Sequence, residues 1–212
     1  MRLALLFSGQ GGQGLAHWQQ VSAASGALRE AAAACLPGLD GEPPSDPEFL
    51  ARNRIAQPLI FTQQMLLWQR LQRDLPRPVC AAGYSLGEMA ACAAAVAFSA
   101  ADGVGLCAER ARLMDEAAPG EFGMLAVLGL ADGEVEALAE ACGLAVAIRN
   151  APRHLVVAGP RAGIQKAAER FEAAGASRLV HLAVRTPSHT PSLAAAASEF
   201  KHRLDRLPEA GN

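Results

Sequence analysis

A serine held in Gly83-Tyr84-Ser85-Leu86-Gly87 has the spacing of a nucleophile elbow. Glycines two before and two after it permit a sharp strand-to-helix turn, which lifts the hydroxyl clear of the sheet to attack an acyl carbon. The same serine, followed three residues on by Glu88, also spells an N-terminal capping box. The pattern alone therefore supports either a reacting hydroxyl or a helix cap. Of the histidines, His17 and His202 stand among polar residues on expected helices, and His154 and His181 on expected strands of a small later unit. His189 stands apart, in the loop Thr186-Pro187-Ser188-His189-Thr190-Pro191, where proline restricts the backbone on both sides. A loop histidine is ordinarily just exposed, but together with a serine nucleophile it becomes the candidate base.

A third group comes from helical periodicity. Placed on a wheel, residues 101–117 put Leu106, Cys107, Leu113, Met114 and Ala117 on one arc, with Glu109, Arg112, Asp115 and Glu116 elsewhere. Arg112 reads as a solvated charge beside acidic neighbours. Arg110 falls inside the apolar arc, where a cation needs a partner to offset its desolvation. It is either a structural ion pair, a side chain snorkelling to the rim, or a planar fork that grips a substrate carboxylate.

The loop Ser8-Gly9-Gln10-Gly11-Gly12-Gln13-Gly14 contains Gly9-x-Gly11-x-x-Gly14 after a strand, the spelling of a dinucleotide fingerprint. The second strand and its acidic residue, due about twenty residues later, are replaced by an alanine-rich helical run containing Glu30. A glycine loop can equally offer a bare backbone N–H to an oxyanion, which agrees with a serine nucleophile.

The elements that must position these groups read as an α/β chain. Arg2 to Phe7 is a short apolar strand, Ala24 to Cys35 a helix, Leu36 to Pro47 a loop and Ile55 to Asp74 a long helix with Pro58 in its first turn. Val79 to Ala82 is a second strand, followed by the elbow, a helix to about Phe98 and another from Ser99 to about Ala117. That rhythm is a parallel sheet covered by helices. From Met124 to Val184 the order becomes β-α-β-β-α-β, the ferredoxin-like unit. A last helix, Ser192 to Arg206, follows the His189 loop.

Composition narrows the setting. The 212 residues are 51% hydrophobic and only 5% aromatic, enough for a core of Ala, Leu and Val. The net charge of −2 and the absence of a basic run argue against nucleic acid as a partner. No apolar stretch has the length of a membrane span or export signal. Five cysteines with no C-x-x-C fit buried thiols in a reducing cytoplasm, with neither a disulfide nor a zinc framework.

Phe7-Ser8-Gly9-Gln10-Gly11-Gly12-Gln13, Gly83-Tyr84-Ser85-Leu86-Gly87-Glu88, Arg110 with Leu113-Met114, Asn150 with Pro152, and Pro187-Ser188-His189 together resemble, in order, the malonyl-CoA:acyl carrier protein transacylase family. The resemblance runs the length of the chain. It implies an α/β-hydrolase-like acyltransferase domain, residues 1–119 and 185–212, carrying a ferredoxin-like subdomain at 120–184. It further implies that Ser85 takes a malonyl group from malonyl-CoA and that His189 serves as its base. The backbone N–H groups of Gln10 and Leu86 would form the oxyanion hole, Arg110 would bind the malonyl carboxylate, and Tyr84, Asn150 and Ser188 would line the pocket. The acceptor would be the phosphopantetheine thiol of an acyl carrier protein, with no metal and no permanently bound cofactor. The family usually has histidine where Tyr84 stands; in this the chain resembles the transacylase subunit of malonate decarboxylase systems, which charges a dedicated carrier subunit, more than the enzyme of fatty acid biosynthesis. Family members also continue further, with a late glutamine-bearing segment that orients the histidine. The resemblance thus implies a C-terminally short chain whose sheet edge or apolar helix face invites a partner or a second copy. Two rivals keep the same elbow: a serine thioesterase or esterase that lets water reach the acyl-enzyme, and an inactive relative that binds acyl-CoA or carrier protein.

Overall fold

The computed structural model describes residues 2–207, so residues 208–212, which end the first expected domain, lie outside it. Among the described residues the chain forms two compact units, divided between 112 and 113 and between 199 and 200, the first holding both ends and the second residues 113–199. The division falls outside the ferredoxin-like motif on both sides, so the second unit also takes in 113–119 and the His189 loop.

In the first unit, β1 (Ala4–Phe7) pairs in parallel with β2 (Cys80–Gly83), in register from Ala4 opposite Cys80 to Phe7 opposite Gly83. Parallel pairing sets the two strand ends, and the loops that follow them, side by side. Between the strands run α1 (Leu15–Ser22), α2 (Ala27–Cys35), the short α3 (Pro47–Ala51) and α4 (Asn53–Leu71). The sequence reading put His17 on a helix but set no bounds for α1. Its start is marked by Gly14 rather than by Ser, Thr, Asp or Asn, and the ring Nδ1 of His17 accepts from the Gly14 N–H at 3.3 Å. The glycine loop therefore does open a helix, but α2, not a strand, follows, and the dinucleotide pattern stays incomplete.

Helix α4 is the spine of this unit. Its first half is buried all round, with Ile55, Leu59, Ile60 and Phe61 in the core beside Trp18, Val21 and Ala32. Pro58 sits inside it, and the Thr62 hydroxyl donates to the Pro58 carbonyl at 2.7 Å. Helices α5 (Gly87–Ala94) and α6 (Ala100–Ala117) follow β2. A side chain on Gly103 would strike the Phe61 ring, so the bare glycine lets α6 approach α4 closely. Phe200 and Leu204, at the end of α9 (Ala194–Leu204), pack on the same core.

The second unit is a four-stranded antiparallel sheet ordered β4-β5-β3-β6, from β3 (Phe122–Leu128), β4 (Ala145–Ala151), β5 (His154–Pro160) and β6 (Arg178–His181). With α7 (Asp132–Glu140) and α8 (Arg161–Ala173) it reproduces the ferredoxin-like order. Leu125, Val127, Leu155 and Val157 face a core with Val135, Ile164 and Phe171, while Met124, Ala126, Val156 and Ala158 face a second cluster with Val184. The apolar runs in β3 and β5 are continuous, not alternating, because both faces are covered. The cysteine expectation needs correction: Cys107 is buried, but Cys80 and Cys92 are exposed and Cys35 and Cys142 half-buried. No helix among the described residues is long and apolar enough to cross a membrane, and no group of His, Cys, Asp and Glu among them could hold a metal ion.

Candidate active site

Ser85 has a φ of +53°, the left-handed conformation that L-residues rarely adopt. Its surroundings require the flanking glycines. A Cβ on Gly83 would collide with the backbone of Gly87 and Glu88, and one on Gly87 would collide with the Phe7 carbonyl. Small residues at 83 and 87 are thus what lets the turn fold back against β1, and strain of this kind gathers at functional sites. The capping alternative is not supported: α5 has Leu86, with α-helical angles, at its N-cap and no side-chain cap hydrogen bond.

The glycine loop abuts this turn. The Tyr84 N–H donates to the Phe7 carbonyl at 3.0 Å, and a Cβ on Gly9 would lie 2.7 Å from the Tyr84 oxygen. Gln64 of α4 donates through Nε2 to both the carbonyl (2.9 Å) and the hydroxyl (3.0 Å) of Ser8. The Gln13 side chain accepts from Gly11 N–H at 2.8 Å and donates to the Leu50 carbonyl at 3.3 Å. Both ends of the loop are thereby tied down. Among the described residues the backbone N–H groups of Gln10 and Leu86 donate to no other group, as an oxyanion hole requires. Tyr84 itself is exposed at 48%.

Arg110 lies on α6 with Cys107, Leu106 and Met114 buried around its face of the helix. Its partner is not a carboxylate. Nη1 donates to Oε1 of Gln57 at 2.7 Å, and among the described residues Nε and Nη2 have no partner. Burial pushes the guanidinium down from its ordinary value, with Cys107 and Glu88 acting in the opposite sense. Cys107, raised by its own burial, stays a neutral thiol at neutral pH and supplies no counter-charge. Arg112 is paired with Glu109 at 2.7 Å, the solvated charge pair expected. Gln57, fully buried on α4, was not singled out in the sequence; the available signal was an amide inside an otherwise apolar helical run.

In the second unit, His189 also has a positive φ, +61°. Thr186, Ser188 and Thr190 around it are buried, and their bonds are short-range. The Ser188 N–H donates to the Thr186 carbonyl at 2.7 Å, and the Thr190 hydroxyl to the Pro187 carbonyl at 2.6 Å. The loop is thus fixed by its own buried hydroxyls and presents the imidazole on its exposed side. Asn150, near the end of β4, is exposed with its Nδ2 3.3 Å from Nε2 of His154. Ser85, Tyr84, Leu86, Gln10 and Arg110 therefore share the first unit; Asn150, Ser188 and His189 belong to the second.

The acyl transferase domain family matches residues 5–211. The chain belongs to that family. It is 32% identical to the malonyl CoA-acyl carrier protein transacylase of Salmonella typhimurium, over 97% of this chain and 70% of that protein. To the transacylase of the same name from Bacillus subtilis it is 33% identical, over 96% of this chain and 68% of the relative. A polyketide biosynthesis protein of Burkholderia thailandensis is 37% identical over 72% of this chain, which spans 13% of that protein. Among solved structures, the malonyl-CoA:acyl carrier protein transacylase of Xanthomonas oryzae superposes with a TM-score of 0.83 at 31% identity, covering 99% of this chain and 71% of that one. A type II polyketide malonyl-transacylase in complex with its acyl-carrier protein superposes at 0.82 and 26% identity, covering 100% and 72%. In this acyltransferase family setting the mixed parallel and antiparallel α/β architecture is that of the transacylases.

Proposed function

We propose that this acyltransferase moves malonyl from malonyl-CoA to the phosphopantetheine thiol of an acyl carrier protein through an ester on Ser85. The observation that carries the reading is the strained serine at φ +53°, at a turn against which the glycine loop packs at Gly9. Ser85 Oγ attacks the thioester carbonyl while His189 takes its proton; the oxyanion is held by the Gln10 and Leu86 N–H groups. Collapse breaks the C–S bond, and the proton on His189 goes to the departing CoA thiolate. The carrier thiol then attacks the ester in the reverse sense, its proton passing through His189 to Ser85. No permanently bound cofactor is needed for this exchange.

Arg110 grips the free malonyl carboxylate with the edge that Gln57 leaves open, so acetyl, lacking the carboxylate, leaves a half-buried cation unpaired. Tyr84, Asn150 and Ser188 line the pocket in this reading. The tyrosine in place of the family's histidine supports a dedicated carrier subunit of the malonate decarboxylase type as acceptor. The exposed free thiols Cys80 and Cys92 support work in the reducing cytoplasm. Exposure of Leu6 at 83% and Val79 at 57% supports a further polypeptide segment, from a second copy or a partner, over the β1–β2 sheet.

Incubation with labelled malonyl-CoA, with and without a carrier protein, followed by mass spectrometry of the Ser85 peptide, tests the reading. Stable label on Ser85 that passes to the carrier is expected. Release as free malonate would make the protein a thioesterase, and no label would make it a binding relative.

A further inference from the structure

Arg110 is held by a chain of side chains that returns to its own helix. A guanidinium has only donors, so the Gln57 atom facing it at 2.7 Å must be the amide oxygen. The Gln57 amide nitrogen then points to Asn53, one turn earlier on α4, and donates to Oδ1 at 2.7 Å. That in turn aims the Asn53 nitrogen at an acceptor, the backbone carbonyl of Ala111, at 3.2 Å. Ala111 is the residue after Arg110. Each link dictates the orientation of the next, and Gln57 and Asn53 are buried at 0% and 5% exposure, where an amide cannot turn over without leaving donors facing donors.

We propose that Asn53 is a specificity-positioning residue: by fixing which way the Gln57 amide faces, it holds Nη1 of Arg110 and leaves the Nε–Nη2 edge free for a carboxylate. This rests on the reading of Arg110 as the malonyl carboxylate site. Asn53 touches no substrate in this arrangement and acts through Gln57. With Asn53 replaced by an apolar residue, Gln57 loses the Asn53 oxygen that orients its nitrogen and can present NH₂ towards the guanidinium, a repulsive arrangement that displaces the fork.

The test compares Ser85 acylation from malonyl-CoA and from acetyl-CoA in the wild type, Arg110→Ala and Asn53→Leu, which keeps the branched shape and removes the hydrogen bonds to Gln57 and Ala111. Arg110→Ala should abolish the preference for malonyl. Asn53→Leu should lower the malonyl-to-acetyl ratio of kcat/KM about tenfold, the order expected for losing one oriented hydrogen bond to a charged group. The loss should sit mainly in KM for malonyl-CoA, with acetyl-CoA changed by less than about twofold. If Asn53→Leu does not fold, Asn53→Thr, whose shorter hydroxyl still accepts, should lower the same ratio by about threefold. Equal losses with both substrates, or an unchanged ratio, would show Asn53 to be a packing residue and overturn the proposal while leaving Arg110 in place. An unchanged ratio in Arg110→Ala would overturn both readings together.

Discussion

Strand β1 of the first unit leaves Leu6 83% exposed, whereas β3 of the second buries Met124, Leu125, Ala126 and Val127 in succession. Among the described residues one strand has a single partner, and the other lies between two and is covered on both faces. The nucleophile and the proposed oxyanion donors go with the first strand, and the proposed base, His189, lies in the second unit but on a loop outside its strands. The β1–β2 pair delivers the glycine loop and the strained elbow at its ends, while the four-stranded sheet carries none of the proposed reacting atoms on its strands. A two-stranded sheet is weak by itself, so the elbow is held by close backbone approach at Gly83 and Gly87 and by the buried half of α4. The strained elbow and the packed four-stranded sheet are different regions, and each is open to selective damage.

The sharpest break in that comparison is at Ser85. Ser85→Ala should reduce acylation by about 10⁴-fold or more, as loss of a nucleophile acting with its base does, read by labelling with malonyl-CoA. Ser85→Gly should be equally inactive and yet more stable, by up to about 1 kcal/mol, because glycine adopts a positive φ without the Cβ penalty. A glycine variant that melts below the alanine variant would show the elbow to be unstrained. His189→Ala should cost about 10²–10⁴-fold in the acylation rate, and an unchanged rate would show that the imidazole is not the base.

Damage to the other region should look different. Phe171, fully buried against β3 and β5, anchors the helix-covered face of the second unit. Phe171→Ala should remove about 3–5 kcal/mol. Hydrogen exchange should accelerate first in β3 and β5 and leave the amides of α4 protected. Uniform acceleration through α4 would mean that the two cores unfold as one.

How far these features could be read in advance depends on whether the physical cause was local. The elbow glycines, the inward-facing Arg110 and the β-α-β-β-α-β order were legible because backbone geometry and periodicity leave their mark within a few residues. The bounds of helix α1 were not, since its cap is a glycine and a histidine ring rather than a capping side chain. Asn53 and Gln57 were missed for a different reason. Their partners lie 58 and 53 residues away on α6, and only the packing of α4 against it turns two amides in an apolar run into a relay. Exposed Cys80 and Cys92 likewise follow from how little of the β2 and α5 surface the described residues cover, which helical apolar patterning does not report.

The smallest effect belongs to the charge pair next to the relay. The hydrogen bond from Arg112 holds the Glu109 carboxyl below its ordinary value, with charge attraction from Arg112 and Arg203 adding to it against a small burial cost. A depressed folded-state value means that the pair stabilises the fold above the usual carboxylate range and that this contribution is lost as pH falls through the lowered value. Both side chains are at least a third exposed, so the contribution is below about 0.5 kcal/mol. Glu109→Gln should therefore shift the denaturation midpoint slightly at pH 7 and not at all at pH 2, and should leave the malonyl-to-acetyl ratio untouched. A change in that ratio would mean that charge on the outer face of α6 reaches Arg110, and that Glu88 is not the only carboxylate tuning the fork.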